Sequence, residues 1–124
     1  MEITDNLLKC LEQTDFSSFD EEYIDSILDD RDNDPFYSEW ERVSNELEEL
    51  KNPENYKRSN EEEFLSITKR VCEILDDNDC GELSACVADD FGLIYDSLVL
   101  NFKDEWLDKL TAAYGRKIIP SGEI

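Results

Sequence analysis

The sequence has no histidine, and its 124 residues carry only 12 bases against 33 acids. Without histidine there is no Ser-His or Cys-His pair and no imidazole general base. Carboxylates remain as acid-base groups, but among 33 of them any two fall close together by chance, so no pair is informative. Asp90-Phe91-Gly92 matches the kinase tripeptide that places a magnesium ligand. The chain has no His-Arg-Asp loop, no glycine-rich loop and not the length of a kinase. The expectation is therefore no catalytic residues, no cofactor and no enzyme.

Cysteine is also sparse. Cys10, Cys72, Cys80 and Cys86 contain no C-x-x-C spacing, and no histidine completes a zinc set. Four reduced thiols acting as small hydrophobes are expected, with no metal. No basic segment followed by an apolar run opens the sequence, which predicts no signal peptide. The longest apolar runs are interrupted by Asp96 and Asn101, too short to span a bilayer. These features predict a cytoplasmic protein that does not engage a membrane.

What is abundant is acid. The net charge is −21, a composition that often marks disorder. Here 40% of the residues are apolar and they recur at helical spacings, so a single folded acidic domain over residues 1–124 is expected. Such a surface repels nucleic acid and anionic membrane, and its natural partner is a basic protein.

The helical pattern can be followed along the chain. Met1 to Gln13 places Ile3, Leu7, Leu8 and Leu11 on one side, with Thr4 or Asp5 as cap. Asp20 to Asp29 forms a second helix with Tyr23, Ile24, Ile27 and Leu28 inward, and Asp30 to Asp34 a polar break. Asp34 as N-cap and Pro35 as N1 open a third helix. Its stripe is Phe36, Trp40, Val43, Leu47 and Leu50, and it ends near Lys51. Ser59 and Glu62 have capping-box spacing for a fourth helix. Phe64, Ile67, Val71, Ile74 and Leu75 face inward there, with Leu65 and Cys72 widening the stripe. Glu82 to about Leu100 is the most apolar helix and belongs at the centre, although Val99 to Phe102 also suits a short strand. A last helix, Lys103 to Tyr114, turns Trp106, Leu107 and Leu110 inward and has Gly115 as C′ residue. Ile118 and Ile119 in the tail are candidates to pack back. The fold expected is an all-α bundle of five or six helices.

Two readings compete for the acid in the first third. Asp30, Asp32, Asp34, Ser38 and Glu41 fall at the oxygen-donor positions of a calcium loop. Position 6 of that loop is Pro35, which cannot take the positive φ that glycine supplies there, so a solvated turn and helix cap is expected instead. The other reading is a partner surface. Residues 15–34 hold nine acids and the single base Arg31, and Phe16, Phe19, Tyr23 and Tyr37 lie in or just beyond the run. The plain alternative is a solvated face that confers solubility, with Asp20, Glu21 and Glu22 favouring a helix dipole. A solubility face needs no rings, whereas interface centres favour them. The candidate partner-binding residues are Asp20, Glu21, Glu22, Tyr23, Asp25, Asp29, Asp30, Asp32, Asp34 and Tyr37, with the two tyrosines as anchors.

In size, charge, lack of histidine and the acid-aromatic mixture of residues 15–41, the chain resembles the acidic immunity proteins of bacterial nuclease toxins. These include colicin-type and contact-dependent growth inhibition systems. The resemblance implies a non-enzymatic inhibitor whose partner is a basic nuclease toxin domain. Two other readings fit an acidic helical chain. One is a nucleic-acid mimic of the anti-restriction or anti-CRISPR type, which spreads carboxylates along an elongated face. The other is an acidic secretion chaperone or adaptor.

Overall fold

The segment from Ser84 to Leu100 carries apolar residues on nearly every side, and a helix of that kind has to be surrounded by others. In the computed structural model, which describes residues 2–124, Val87 to Ser97 are buried throughout except for Asp89. Six α-helices and one 3-10 turn are present among the described residues, with no strand. They are α1 (Glu2–Glu12), α2 (Glu21–Asp32), α3 (Phe36–Leu50), α4 (Arg58–Asp77), the 3-10 turn Gly81–Leu83, α5 (Ser84–Leu100) and α6 (Glu105–Gly115). α5 is the central element; α4 packs along it most extensively, and α1, α3 and α6 also touch it. α2 packs on α3 and on the 3-10 turn. No helix among the described residues is long and apolar enough to cross a membrane.

The expected core forms. Val43, Leu47, Ile67, Val71, Val87, Phe91, Ile94, Trp106 and Leu110 are buried, and Phe64 is partly buried against them. Phe64 packs against α5 at Gly92. A Cβ on Gly92 would stand 2.6 Å from its ring, so only glycine permits this approach. The α5 helix ends at Asn101, which takes a left-handed φ of 55°. Val99 and Leu100 are thus helical, and the short-strand alternative for Val99 to Phe102 is not realised.

Several expected boundaries and faces are corrected. Thr4 is fully buried inside α1, which starts at Glu2, so neither Thr4 nor Asp5 caps it. α2 does not stop at Asp29 but continues through Asp32, because Arg31 has a buried partner. α3 starts at Phe36, one residue later than expected, after a cis Asp34-Pro35 bond. The Asp34 carboxylate there accepts the Ser38 hydroxyl and not a backbone amide. α4 opens at Arg58, and Asn60, not Glu62, reaches back to accept the Lys57 N–H at 2.8 Å. The end of α6 is a Schellman arrangement displaced by two residues from Gly115. Lys117 has φ of 63°, and Ile118 N–H donates to the Ala113 carbonyl at 3.0 Å. Ile3, Tyr23, Leu50 and Leu65 point to solvent, since each lies on the margin of its stripe. In the tail Ile119 packs into the core, and Ile118 stays exposed.

Candidate partner-binding surface

α2 divides cleanly into two halves. Ile24, Ile27, Leu28 and Arg31 recur at helical spacing and form its inner face. Glu21, Glu22, Asp25, Asp29, Asp30 and Asp32 occupy the outer face and are all exposed. Asp20 is the N-cap, with Oδ1 accepting the Tyr23 N–H at 2.8 Å. Glu21 and Glu22 lie in the first turn, where the dipole favours them. Farther along, Asp25 and Asp29 at i,i+4, and Asp29 and Asp32 at i,i+3, repel one another by a few tenths of a kcal/mol each. Intrinsic preference therefore does not hold the second half of α2, and its inner face must.

Arg31 is the centre of that inner face. Its guanidinium donates to both oxygens of Asp90 on α5, Nη2 to Oδ1 at 2.7 Å and Nη1 to Oδ2 at 2.9 Å. Nη1 also reaches the Pro120 carbonyl at 2.8 Å. The Phe36 ring lies 4.3 Å from the guanidinium carbon. Asp90 is wholly buried and accepts two more hydrogen bonds, from Trp40 Nε1 at 2.9 Å and from the Tyr114 hydroxyl at 2.5 Å. One carboxylate thus ties together α2, α3, α5, α6 and, through Arg31, the tail. Burial works against the Arg31 charge, but Asp90 outweighs it and holds the guanidinium pKa above its ordinary value. Burial and the neighbouring Asp90 charge push the Tyr114 hydroxyl well up, so it remains a donor. No buried side-chain nitrogen or oxygen among the described residues lacks a partner.

Because Arg31 is turned inward, no base interrupts the outer face of residues 15–34. Of the four rings beside the acids, Phe16 is buried and Phe19 half-buried, stacked edge-on between Phe16 and Tyr23 at 5.0 and 4.8 Å. Tyr23 is 46% and Tyr37 51% exposed. These two exposed rings do not form one cluster. Tyr23 is near the start of α2, beside a groove whose lining includes Lys109, Arg116 and Ile119. Tyr37 lies past the other end, about 14 Å away in helical rise alone from Tyr23 to Asp32. All ten candidate residues are exposed; Asp20, Glu21 and Glu22 precede Tyr23, and the other five acids lie between Tyr23 and Tyr37. The α2 helix covers Asp30 to Asp32, where a polar break and solvated turn were expected.

Beside Tyr37 is a small cleft of about 180 Å³ where α2, α3 and the start of α5 meet. Leu28, Phe36 and Trp40 give it apolar walls, and Asp32 and Asp89 line it with carboxylates. Burial, followed by the charge of Asp90, pushes the Asp89 carboxyl upward, partly countered by Arg31. Burial likewise pushes up the Cys86 thiol at the same cleft. Sequence reasoning missed Arg31, Trp40, Asp89 and Asp90 as a unit. The available signal was a lone base in the register of Ile24 and Ile27, and an acid in the middle of the most apolar helix.

A second buried acid, Asp96, plays a similar part farther along α5. It accepts the Tyr56 hydroxyl at 2.6 Å and pairs with Lys51 at 2.8 Å. Burial and Asp96 push the Tyr56 hydroxyl up. Arg42 on α3 reaches Asp104 at 2.9 Å and also pairs with Glu39 and Glu46. The bases of α3 and its C-cap are thus committed to internal acids, while the acids of α2 face outward.

Comparison with known proteins adds one match. No curated protein and no solved structure matches the chain. A family model described as Immunity protein PIM1 matches residues 6–121, running from within α1 through α6 into the tail that Arg31 holds. Since that span takes in nearly the whole bundle, the chain belongs to the Immunity protein PIM1 family.

Proposed function

We propose that this protein is a non-enzymatic inhibitor that binds a cognate nuclease toxin through the outer face of α2 and the α2–α3 turn, and covers the toxin's nucleic-acid site. Membership of an immunity family supports the inhibitor role and a toxin partner. The observation that carries the finer reading is the base-free acidic exterior of residues 15–34, with the exposed ring of Tyr23 within it and that of Tyr37 just beyond it. A nuclease presents lysine and arginine where phosphates bind. Carboxylates on Asp25, Asp29, Asp30, Asp32 and Asp34 can replace those phosphates with charge-assisted hydrogen bonds. Long-range attraction speeds the encounter, and rings that become buried supply lasting, specific binding. Such an encounter takes place in the cytoplasm, where an incoming nuclease meets its substrate.

The test is to neutralise Asp29, Asp30, Asp32 and Asp34 to asparagine, verify the helical circular dichroism, and follow association with the candidate toxin across a salt series. The on-rate should fall and lose most of its salt dependence. Tyr37→Ala should cost about 2 kcal/mol or more of binding if that ring is a central anchor. Affinity, on-rate and salt dependence all at wild-type values would leave this surface a solvated face. Direct blocking is tested separately: a complex whose toxin still admits substrate would refute it and leave the binding intact.

A further inference from the structure

We propose that the cleft between α2, α3 and α5 receives a single arginine side chain of the partner, packed against Tyr37 and Trp40 and paired with Asp32 and Asp89. The inference rests on the toxin-binding reading above and specifies one contact within it. Size comes first. At about 180 Å³ the cleft is well below the roughly 300–1,000 Å³ of ordinary small-molecule sites, and one side chain suits it better than a nucleotide. Charge comes second. Arg31 lies in the floor, but its charge is matched by the two-oxygen contact with Asp90. Counting Arg31, Asp90, Asp32 and Asp89 leaves −2, which repels anions and attracts a cation. Partnering comes third. Asp96 and Asp104, a buried and a half-buried acid elsewhere in the fold, already have Lys51 and Arg42, whereas Asp32 and Asp89 are exposed. Asp32 and Asp89 make no hydrogen bond or ion pair among the described residues. Arginine fits better than lysine because its planar fork can meet two carboxylates from different helices while its face lies on aromatic rings.

The first experiment needs no toxin. N-acetyl-arginine amide is titrated into ¹⁵N-labelled protein, and the indole N–H signals of Trp40 and Trp106 are followed. The Trp40 signal, whose N–H is held by Asp90, should shift saturably while that of Trp106 stays put. The neutral analogue N-acetyl-citrulline amide and the variant Asp89→Asn should each weaken the response about tenfold, as expected for loss of a charge-assisted contact. Asp89→Asn changes the net charge by only one unit in 21, so a diffuse attraction to acid would survive it. The second experiment measures toxin dissociation, which Asp89→Asn should speed about tenfold. Equal shifts at both indoles, equal binding of citrulline amide, or unchanged toxin dissociation in Asp89→Asn would each overturn the proposal. These failures are distinguishable from failure of the broader reading. If neutralising Asp29, Asp30, Asp32 and Asp34 still slows toxin association, the acidic face stands without the cleft.

Discussion

Asp90 offers the sharpest test of how this bundle is held together. Its carboxylate is wholly buried and accepts from Arg31 twice, from Trp40 and from Tyr114. Asp90→Leu strands the guanidinium, which keeps only the Phe36 ring and backbone carbonyls. Arg31→Met strands the carboxylate. Breaking a buried ion pair from either side costs about 3–5 kcal/mol, against a total stability of about 5–15 kcal/mol for a domain. If the costs simply added, the double variant would lose about 6–10 kcal/mol. It should not, because no charge is then left alone. What remains is the Trp40 N–H and the Tyr114 hydroxyl without acceptors, at about 1–3 kcal/mol each. Adding Arg31→Met to Asp90→Leu should therefore be neutral or stabilising.

The assay is urea unfolding at 25 °C followed by far-UV circular dichroism; fluorescence is a poor probe because Trp40 belongs to the network. A variant unfolded in buffer can be refolded by titration with trimethylamine oxide and placed on the same scale. Two results would refute the reasoning. One is a single variant within 1 kcal/mol of wild type, which would mean water or relaxation solvates the site. The other is additivity to within about 0.5 kcal/mol, the behaviour of independent residues.

Other predictions follow from single contacts. Gly92→Ala drives a Cβ into the Phe64 ring and should cost about 1–3 kcal/mol, read as a lower urea midpoint, with part restored by Phe64→Leu. Asp104 caps α6 through Leu107 N–H at 3.0 Å and pairs with Arg42, so Asp104→Ala should cost more than Asp104→Asn, which keeps a good cap. Burial raises the Asp104 carboxyl, but Arg42 and backbone amides together hold it below its ordinary value. Its contribution is therefore fully present above the unfolded pKa of about 3.9 and lost as pH falls through the lower folded value. The gap between wild type and Asp104→Asn should close along that descent in acid unfolding curves. Thiol titration of unfolded, non-reduced protein should find all four cysteines free. Raising sodium chloride from 20 to about 300 mM should raise the melting temperature of the free protein by screening like charges; a fall would show that attractive surface pairs dominate.

The fold was legible because its apolar residues keep helical spacing without interruption. Val43 and Leu47, or Val71 and Leu75, can be assigned to the core by counting fours. Boundaries were harder because several depend on partners distant in sequence. Nothing between Asp29 and Asp34 says locally that the helix continues; Asp90, 59 residues beyond Arg31, decides it. Tyr23 shows the same limit at the side-chain level. It lies next to Ile24 in sequence, but Ile27 and Arg31 set the buried face, and that rotates Tyr23 outward. Exposure of all the chosen acids was readable from their number alone. The cleft was not, since Asp89, Trp40 and Asp32 come from three helices whose packing no local pattern announces.

The buried pair and the acidic exterior are two consequences of one sorting of charge. Counted along the chain, residues 15–34 carry −8, nine acids less Arg31. In the folded protein Arg31 is spent on Asp90, so the exterior of that stretch has nine acids and no base. A lysine or arginine pointing outward from α2 would have stabilised the helix more simply, by i,i+4 pairing with Asp25 or Asp29. It would also have weakened the field that an approaching cationic protein meets. Placing the base inside keeps the helix anchored through an interior contact and leaves its repulsion on the outside uncompensated. That arrangement makes opposite demands on salt. Screening relieves the free protein of its own repulsion, and the same screening would remove the attraction for the basic partner proposed above. The deep Arg31–Asp90 contact thus holds α2 in place while its outward charges repel each other.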